Sequence, residues 1–229
     1  MRVLYLHGFA SSTASSKARF LSQRFQELGI EMRTPDLNLP DFSTLTVSRM
    51  LQQTDDAIDQ MPDEPLVLIG SSLGGFVAIQ AAAGRPERVH RLILLAPAVD
   101  FGAPRMRQVG TVTLDDWKRS GRLNVFHYGF GRMMQVHYAL FEDASHYSAQ
   151  DAYLPQPVLV FQGRFDDAVE PASVEAWASN RPNVELHMLD DDHQLANSLP
   201  TIWDAIRKSL DLGGVARQAV TSKSRDSRP

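Results

Sequence analysis

Continuous apolar runs alternate with amphipathic segments along most of this chain. Such runs are typical of strands that are buried on both faces of a sheet. They occupy residues 3–6, 66–69, 92–95 and 157–162, and more polar strand patterns lie at 30–34 and 184–189. The segments between them repeat apolar residues at helical spacing. This alternation predicts an α/β fold, with right-handed β-α-β crossovers and a mostly parallel, twisted sheet that carries helices on both faces.

The alternation stops between about residues 98 and 155. This stretch contains glycines, aromatic residues and methionines but no strong apolar strand. It follows the end of a predicted strand, where ligand sites of open α/β sheets lie. We therefore predict a small cap insertion with an apolar substrate pocket, lined by Met133, Met134 and Tyr138. The alternative is a helical excursion whose apolar groups only pack on the body.

Length and composition set outer limits on the architecture. The 229 residues suffice for one α/β domain, predicted over residues 1–212, and a polar, aperiodic stretch at 213–229 predicts a disordered tail. The chain has no cysteine, which excludes a disulfide framework and a thiolate zinc site. His127, His137 and His146 show no tight ligand spacing, so neither a metal nor a cofactor is expected.

Net charge and hydropathy limit the classes of partner that we expect for this chain. The net charge of −4 gives no sign of a nucleic-acid-binding surface. The chain enters a strand pattern at once, without a secretory signal, and no apolar run is long enough to span a bilayer. We expect a cytoplasmic protein without stable membrane insertion, and the oligomeric state is not predictable from the sequence.

The pattern Gly70-x-Ser72-x-Gly74 stands between a predicted strand and a predicted helix. A strand that reverses sharply into a helix brings the residues two before and two after its tip close together, so only small side chains fit there. The hydroxyl at the tip is then exposed above the sheet. This context predicts that Ser72 is a nucleophile and that the amide of Leu73, at the helix N-terminus, stabilises negative charge.

A serine hydroxyl needs a base within hydrogen-bond reach and an acid that orients that base. His193 follows the last predicted strand and Asp166 follows the strand before it, and we predict them as base and acid. Asp167 is the second choice for the acid, and Asp100 is the third.

The first predicted strand ends in His7-Gly8-Phe9-Ala10. Its glycine lets the chain turn close to the end of the sheet, so the amide of Phe9, or alternatively that of Ala10, can face Ser72 as a second oxyanion donor. His7 itself is expected to be a structural hydrogen-bonding residue.

At these residues the chain resembles the α/β-hydrolase superfamily. The resemblance extends to about residue 212 and rests on His7-Gly8-Phe9, Gly70-Ser71-Ser72-Leu73-Gly74-Gly75, Gly163-x-x-Asp166-x-x-Val169 and Asp192-His193. Within the superfamily the chain looks like the small, short-capped serine esterases and thioesterases. Residues 140–144 are also similar to acyl-glucuronide esterases and depalmitoylating hydrolases. Glu170 departs from the pattern, because many members carry a branched apolar residue there.

The residues and the resemblance together lead to a functional expectation. The resemblance implies Ser72, Asp166 and His193 as a catalytic triad, with the Phe9 and Leu73 amides as the oxyanion hole. We expect hydrolysis of a small-molecule ester or thioester with an apolar acyl group, through an acyl-enzyme. The alternatives are a carbon–carbon bond hydrolase or an amidase on the same triad, or a small-molecule sensor that keeps the fold.

Overall fold

Six parallel strands form the central sheet of the computed structural model, which describes residues 1–104 and 106–212. The predicted tail at 213–229 lies outside the described residues. The strands are β1 Arg2–Leu6, β2 Met32–Arg33, β3 Leu66–Ser71, β4 Val89–Leu95, β5 Gln108–Val109, β6 Val112–Thr113, β7 Arg122–His127, β8 Arg132–His137, β9 Val158–Gly163 and β10 Val184–Leu189. The helices are α1 Ser16–Gln26, α2 Val47–Asp59, α3 Leu73–Gly84, α4 Leu114–Ser120, α5 Ala139–Ala144, α6 Pro171–Ser179 and α7 Leu199–Ser209, with a 3-10 turn at Phe42–Thr44.

The central sheet has the strand order β10-β9-β4-β3-β1-β2, and every neighbouring pair is parallel. The chain starts in β1, steps outward to β2, returns to β3 and then proceeds through β4 and β9 to β10. All carboxyl ends of the strands therefore meet at one edge, where ligand sites of such sheets lie. The predicted α/β fold is confirmed.

Alternate residues of the strands feed two apolar cores, one on each face of the sheet. In β1, Leu4 and Leu6 face the core that α2 and α3 cover, while Val3 and Tyr5 face the core that α1 and α7 cover. All four side chains are fully buried. This arrangement explains why the strands are uninterrupted apolar runs, since both faces of each strand are covered.

The segment predicted as a cap contains four short strands as well as α4 and α5. β5 pairs with β6, and β7 pairs with β8, as two antiparallel hairpins. The sequence pattern predicts no strong strand here, because hairpin strands covered on one side only alternate in polarity and give a weak apolar signal. Trp117 of α4 is buried behind the second hairpin and donates its indole N–H to the Val136 carbonyl at 3.3 Å.

Among residues 1–104 and 106–212, no helix combines the length and the apolar character that a membrane crossing requires.

Candidate active site

Ser72 occupies a strained turn between β3 and α3. Its backbone has φ 55° and ψ −121°, a conformation that residues with a side chain rarely adopt. The turn leaves no room on either side. A Cβ atom at Gly70 would lie 2.4 Å from the Gly74 carbonyl oxygen, and one at Gly74 would lie 2.3 Å from the Leu6 carbonyl oxygen. The two glycines of the motif are therefore required by backbone crowding.

The turn brings the Ser72 hydroxyl to a histidine that is distant in sequence. Ser72 Oγ lies 3.1 Å from His193 Nε2, and His193 Nδ1 lies 3.0 and 2.9 Å from the two carboxylate oxygens of Asp166. Because a carboxylate accepts, the Nδ1 proton points to Asp166, which leaves Nε2 free to accept from the serine. The three predicted residues thus form one continuous hydrogen-bonded chain.

Asp166 is buried and held by several donors. Its Oδ1 accepts from the backbone amides of Ala168 at 2.9 Å and Val169 at 2.8 Å, and its Oδ2 accepts from Gln162 Nε2 at 2.8 Å. Burial alone would raise the pKa of this carboxyl, but the hydrogen bond and charge of His193, with the Val169 amide and Gln162, outweigh burial and lower the pKa. The carboxylate is thereby kept ionised beside the imidazole.

The other acidic residues near the site lie outside the hydrogen-bonded chain of Ser72, His193 and Asp166. Asp167 is exposed, so it does not take part in the hydrogen-bonded chain. Asp190 pairs with Arg164 at 3.2 Å. Asp191 is buried and accepts from the Ser198 amide at 2.9 Å, which shapes the loop around His193.

The histidine loop packs tightly against the acid loop. A Cβ atom at Gly163 would lie 2.5 Å from the carbonyl oxygens of both Asp191 and Asp192. Gly163 therefore permits the two loops to approach closely enough for the contact between His193 and Asp166.

Lys17 of α1 is buried behind His193. Only 6% of it is exposed, and its Nζ donates to the His193 carbonyl at 3.0 Å. Burial lowers its pKa to about 8, although the negative charges of Asp166, Asp192 and Asp191 oppose the shift. The ammonium thus fastens the backbone that carries the imidazole.

The loop of residues 8–12, called here the 8–12 loop, runs directly beside Ser72. A Cβ atom at Gly8 would lie 3.0 Å from Ser72 Cβ. Among residues 1–104 and 106–212, no acceptor is paired with the amide of Phe9 or with that of Leu73. Two unpaired N–H groups therefore flank the serine, and the second of them begins α3, where the helix favours negative charge.

The second hairpin fastens the 8–12 loop. The Tyr128 amide donates to the Ala10 carbonyl at 2.8 Å, and Asn38 Nδ2 donates to the Ser11 carbonyl at 2.9 Å. His127 is fully buried, and its Nε2 pairs with Asn38 Oδ1 at 3.2 Å. Burial, followed by the nearby His7, lowers the pKa of His127, which keeps this imidazole neutral. These contacts hold Ala10 in a left-handed conformation, with φ 50°.

His7 makes structural hydrogen bonds at the start of the same loop. Its Nε2 accepts from the Leu37 amide at 3.1 Å and its Nδ1 lies 3.0 Å from the Gly8 carbonyl. This role agrees with the expectation from the sequence.

Comparison with known protein families identifies the chain's family. The model of the family described as "Uncharacterised protein family (UPF0227)" matches residues 2–208. The chain belongs to this family. It is also a member of the α/β-hydrolase superfamily, as the sheet and the relatives show.

The relatives of this UPF0227 protein include mammalian proteins that carry the name palmitoyl-protein thioesterase ABHD10, mitochondrial. The Bos taurus protein is 25% identical over 178 residues, covering 73% of this chain and 57% of its own length. The Homo sapiens protein is 25% identical over 175 residues, with the same two coverages. The chain therefore spans less than three-fifths of the curated relatives it matches.

Solved structures share the fold. Est1E from Butyrivibrio proteoclasticus, with ferulic acid bound, has a TM-score of 0.79 at 20% identity, covering 92% of this chain and 88% of that one. Mouse ABHD10 has a TM-score of 0.72 at 23% identity, covering 90% and 89%. At these identities the likeness concerns the fold alone.

The predicted pocket residues of this UPF0227 protein do not share one face. Met133 lies on the outward face of β8 and is 61% exposed, so it lines no pocket here. Met134 points to the other face and packs against the core that also contacts Phe9. Tyr138 packs edge-on against Trp117, with ring centroids 5.5 Å apart. Adjacent strand residues face opposite sides, so Met133 and Met134 could not both line the pocket.

The sequence patterns do not point to three residues that the structure places at the site, namely Gln162, Lys17 and Asn38. Each of them hydrogen-bonds to a residue of the site, and the sequence pattern around it does not predict that contact. Gln162 is the second-last residue of the apolar strand β9, and a polar side chain in such a buried run is the signal that could have found it. Lys17 lies on the otherwise apolar face of α1, which is an unusual place for a lysine.

Proposed function

We propose that this protein is a serine hydrolase that cleaves a carboxylic ester or thioester through Ser72, His193 and Asp166. The observation that carries the proposal is the continuous hydrogen-bonded chain from the Ser72 hydroxyl through His193 to the buried Asp166 carboxylate. Ser72 stands at a strained strand-to-helix turn, beside the Phe9 and Leu73 amides, which have no acceptor within the part of the chain that the structure describes. Each part has a role in acyl transfer that needs neither a cofactor nor a metal.

The proposed reaction has two steps. In the first, His193 Nε2 takes the Ser72 proton while Ser72 Oγ attacks the acyl carbonyl carbon. The amides of Phe9 and Leu73 stabilise the oxyanion, a contribution whose loss costs about 10²–10³ in rate per donor. His193 then gives its proton to the leaving alcohol or thiol. In the second step, His193 activates a water that releases the acid and restores Ser72.

The relatives support the bond that we propose. A thioester is the bond named for the ABHD10 proteins, and the Est1E structure contains ferulic acid. The apolar residues around the 8–12 loop and the cap favour an acyl group of medium or greater length. The cytoplasmic location stays a prediction, and the ABHD10 relatives are named as mitochondrial proteins.

The test is hydrolysis of p-nitrophenyl esters and acyl thioesters of graded chain length. We expect turnover by the wild type, with an optimum longer than acetyl, and a loss of about 10³-fold or more in Ser72→Ala. Ser71→Ala is the matched control, because it removes the neighbouring hydroxyl and leaves Ser72 unchanged. A fluorophosphonate probe should label the wild type at Ser72 and leave Ser72→Ala unlabelled.

Equal rates in the wild type and in Ser72→Ala would refute the proposal. A protein that is inert on esters and thioesters but cleaves a diketone or an amide through Ser72 would favour the other hydrolases. Tight ligand binding without turnover would favour the sensor.

A further inference from the structure

The tip of the hairpin β7–β8 presents an apolar patch to solvent. Phe126 and Met133 lie directly opposite each other on its outward face, 46% and 61% exposed. Tyr128, at the turn, is 76% exposed and packs edge-on against Phe126 with ring centroids 5.3 Å apart. Phe130 of the same turn is half exposed. We call these four residues the tip patch.

The tip patch is unusual for this molecule. Among residues 1–104 and 106–212, eight large apolar side chains are exposed, and four of them lie between residues 126 and 133. Scattered exposed apolar residues need no explanation, but a contiguous group of aromatic side chains marks an interaction surface. Phe130 stacks on the buried His127 ring with centroids 4.2 Å apart, but the core contacts of the hairpin come from its inward face and do not require Phe126, Tyr128 and Met133 to be apolar.

The hairpin β7–β8 is cationic. It contains Arg122 and Arg132 and no aspartate or glutamate, in a chain whose net charge is −4, whereas α4 before it balances Asp115 and Asp116 with Lys118 and Arg119. All four cations are exposed. Arg119 is paired with Asp116 of its own helix at 2.8 Å, while Arg122 lies on the same hairpin face as Phe126, nearer the base. On that face, Phe126 and Met133 lie near the tip of the hairpin, and Arg122 lies closer to its base.

This order of groups matches the depth profile of a lipid surface. Aromatic residues favour the boundary between acyl chains and headgroups, and arginines behind them reach the headgroup phosphates. A second copy of this chain fits less well, because a symmetric contact between two hairpins would bring like charges together. The charge complementarity therefore favours an anionic membrane as the occupant.

We propose that the tip patch docks this protein peripherally on an anionic phospholipid surface. The hairpin is bonded to the 8–12 loop through Tyr128 and Ala10, so docking holds the candidate active site close to the lipid. The use of docking to present a long acyl ester or thioester rests on the proposed function, whereas the docking itself does not.

Vesicle co-flotation of the full chain tests the docking. The Ser72→Ala variant is the parent protein, so that hydrolysis plays no part in the result. We expect binding to phosphatidylcholine vesicles that contain about 30 mol % phosphatidylglycerol, weakening as salt rises, and much weaker binding to phosphatidylcholine alone. Phe126→Ser/Tyr128→Ser/Met133→Ser should lower the affinity about tenfold or more, because it removes the apolar contacts.

Two further variants separate the contributions. Arg122→Gln/Arg132→Gln should lower binding to the anionic vesicles about thirtyfold and have little effect on phosphatidylcholine, since each of the two cations contributes about 1 kcal/mol near such a surface. Tyr153→Ser removes an equally exposed aromatic ring outside the hairpin, and its binding should equal that of the parent. Thermal melts of all variants establish that each is folded.

Equal vesicle binding by the triple variant and the parent would overturn the proposal. Equal binding to neutral and anionic vesicles would overturn its electrostatic part. If light scattering instead shows a dimer that the triple variant loses, with no vesicle binding, the patch is an interface between copies of this chain. None of these outcomes depends on whether Ser72 hydrolyses esters.

Discussion

The edge of the sheet that holds Ser72 and the outward face of the hairpin β7–β8 differ in how closely the backbone is packed. Around Ser72, the positions of Gly70, Gly74 and Gly163 are fixed by backbone atoms less than 3 Å from where a side chain would begin. On the outward face of the hairpin, Phe126 and Met133 face solvent and could be replaced without displacing the backbone. The comparison teaches that the geometry around Ser72 depends on backbone crowding, whereas the docking that we propose depends on replaceable side chains.

The first prediction tests the backbone crowding around Ser72 by adding one methyl group at Gly74. Gly74→Ala should prevent a functional fold, because the new Cβ would meet the Leu6 carbonyl oxygen at 2.3 Å, within the backbone of β1. Gly84→Ala, at the end of the same helix, is the matched control, since nothing lies within 4 Å of its added Cβ. It should be neutral or stabilise by up to about 1 kcal/mol. Yield and thermal melts measure both, and a folded, active Gly74→Ala protein would contradict the argument.

The second prediction concerns the acid. Asp166→Asn should lower kcat by about 10³–10⁴-fold, because an amide cannot hold His193 in the tautomer that accepts the serine proton. Asp167→Asn changes the adjacent, exposed carboxylate and should leave kcat unchanged. Initial rates on a soluble ester decide between them. Equal losses in the two variants would mean that the acid loop rearranges in solution.

Much of this site was predictable because its signals are local or follow from strand order. The spacing of Gly70, Ser72 and Gly74 reflects a turn that any such chain must make, and His193 follows the last strand of a parallel sheet. The sequence does not decide between Asp166 and Asp167, because neighbouring side chains differ only in direction and the local turn sets that direction. The hairpin strands were missed, since their alternating polarity is weak over six residues.

The contacts of Asn38 and Lys17 were out of reach for a different reason. Asn38 meets His127 across 89 residues, and Lys17 meets the His193 carbonyl across 176 residues. Neither of these two contacts leaves a periodic pattern or a motif in the sequence. Such contacts emerge only when the cap and α1 are both folded against the sheet, which is a tertiary property.

The junction between the two regions gives the third prediction. Asn38→Leu should lower kcat about tenfold and destabilise the fold by about 1–3 kcal/mol, because the Ser11 carbonyl and His127 lose their partner. Asn124→Leu is the matched control on the outward face of β7, where the amide only accepts from Gln135. Its kcat should match that of the wild type. An unchanged kcat in Asn38→Leu would show that the 8–12 loop does not need the cap to hold its amides.

The last prediction concerns Lys17, a buried charge in the crowded region around Ser72. In the folded protein burial lowers the pKa of this amine to about 8, below its ordinary value of 10.5. Below pH 8 both the folded and the unfolded chain are protonated, and the cost of burying the ammonium is fully present. Between about pH 8 and 10.5 the unfolded chain binds the extra proton, so stability rises with pH, by at most about 1.4 kcal/mol per pH unit.

Lys17→Met removes this titration and should therefore change the slope of stability against pH. Between about pH 8 and 10 the wild type should gain stability relative to Lys17→Met, and below pH 8 the difference between them should be constant. Urea unfolding at a series of pH values measures it, with Lys208→Met as the control because that lysine is exposed on α7. A difference that does not vary with pH would mean that the Lys17 amine reaches solvent. In that case the His193 backbone depends on the loop contacts of Asp191 and Gly163 rather than on a buried ammonium, and the crowding at the edge of the sheet is sufficient to hold the imidazole.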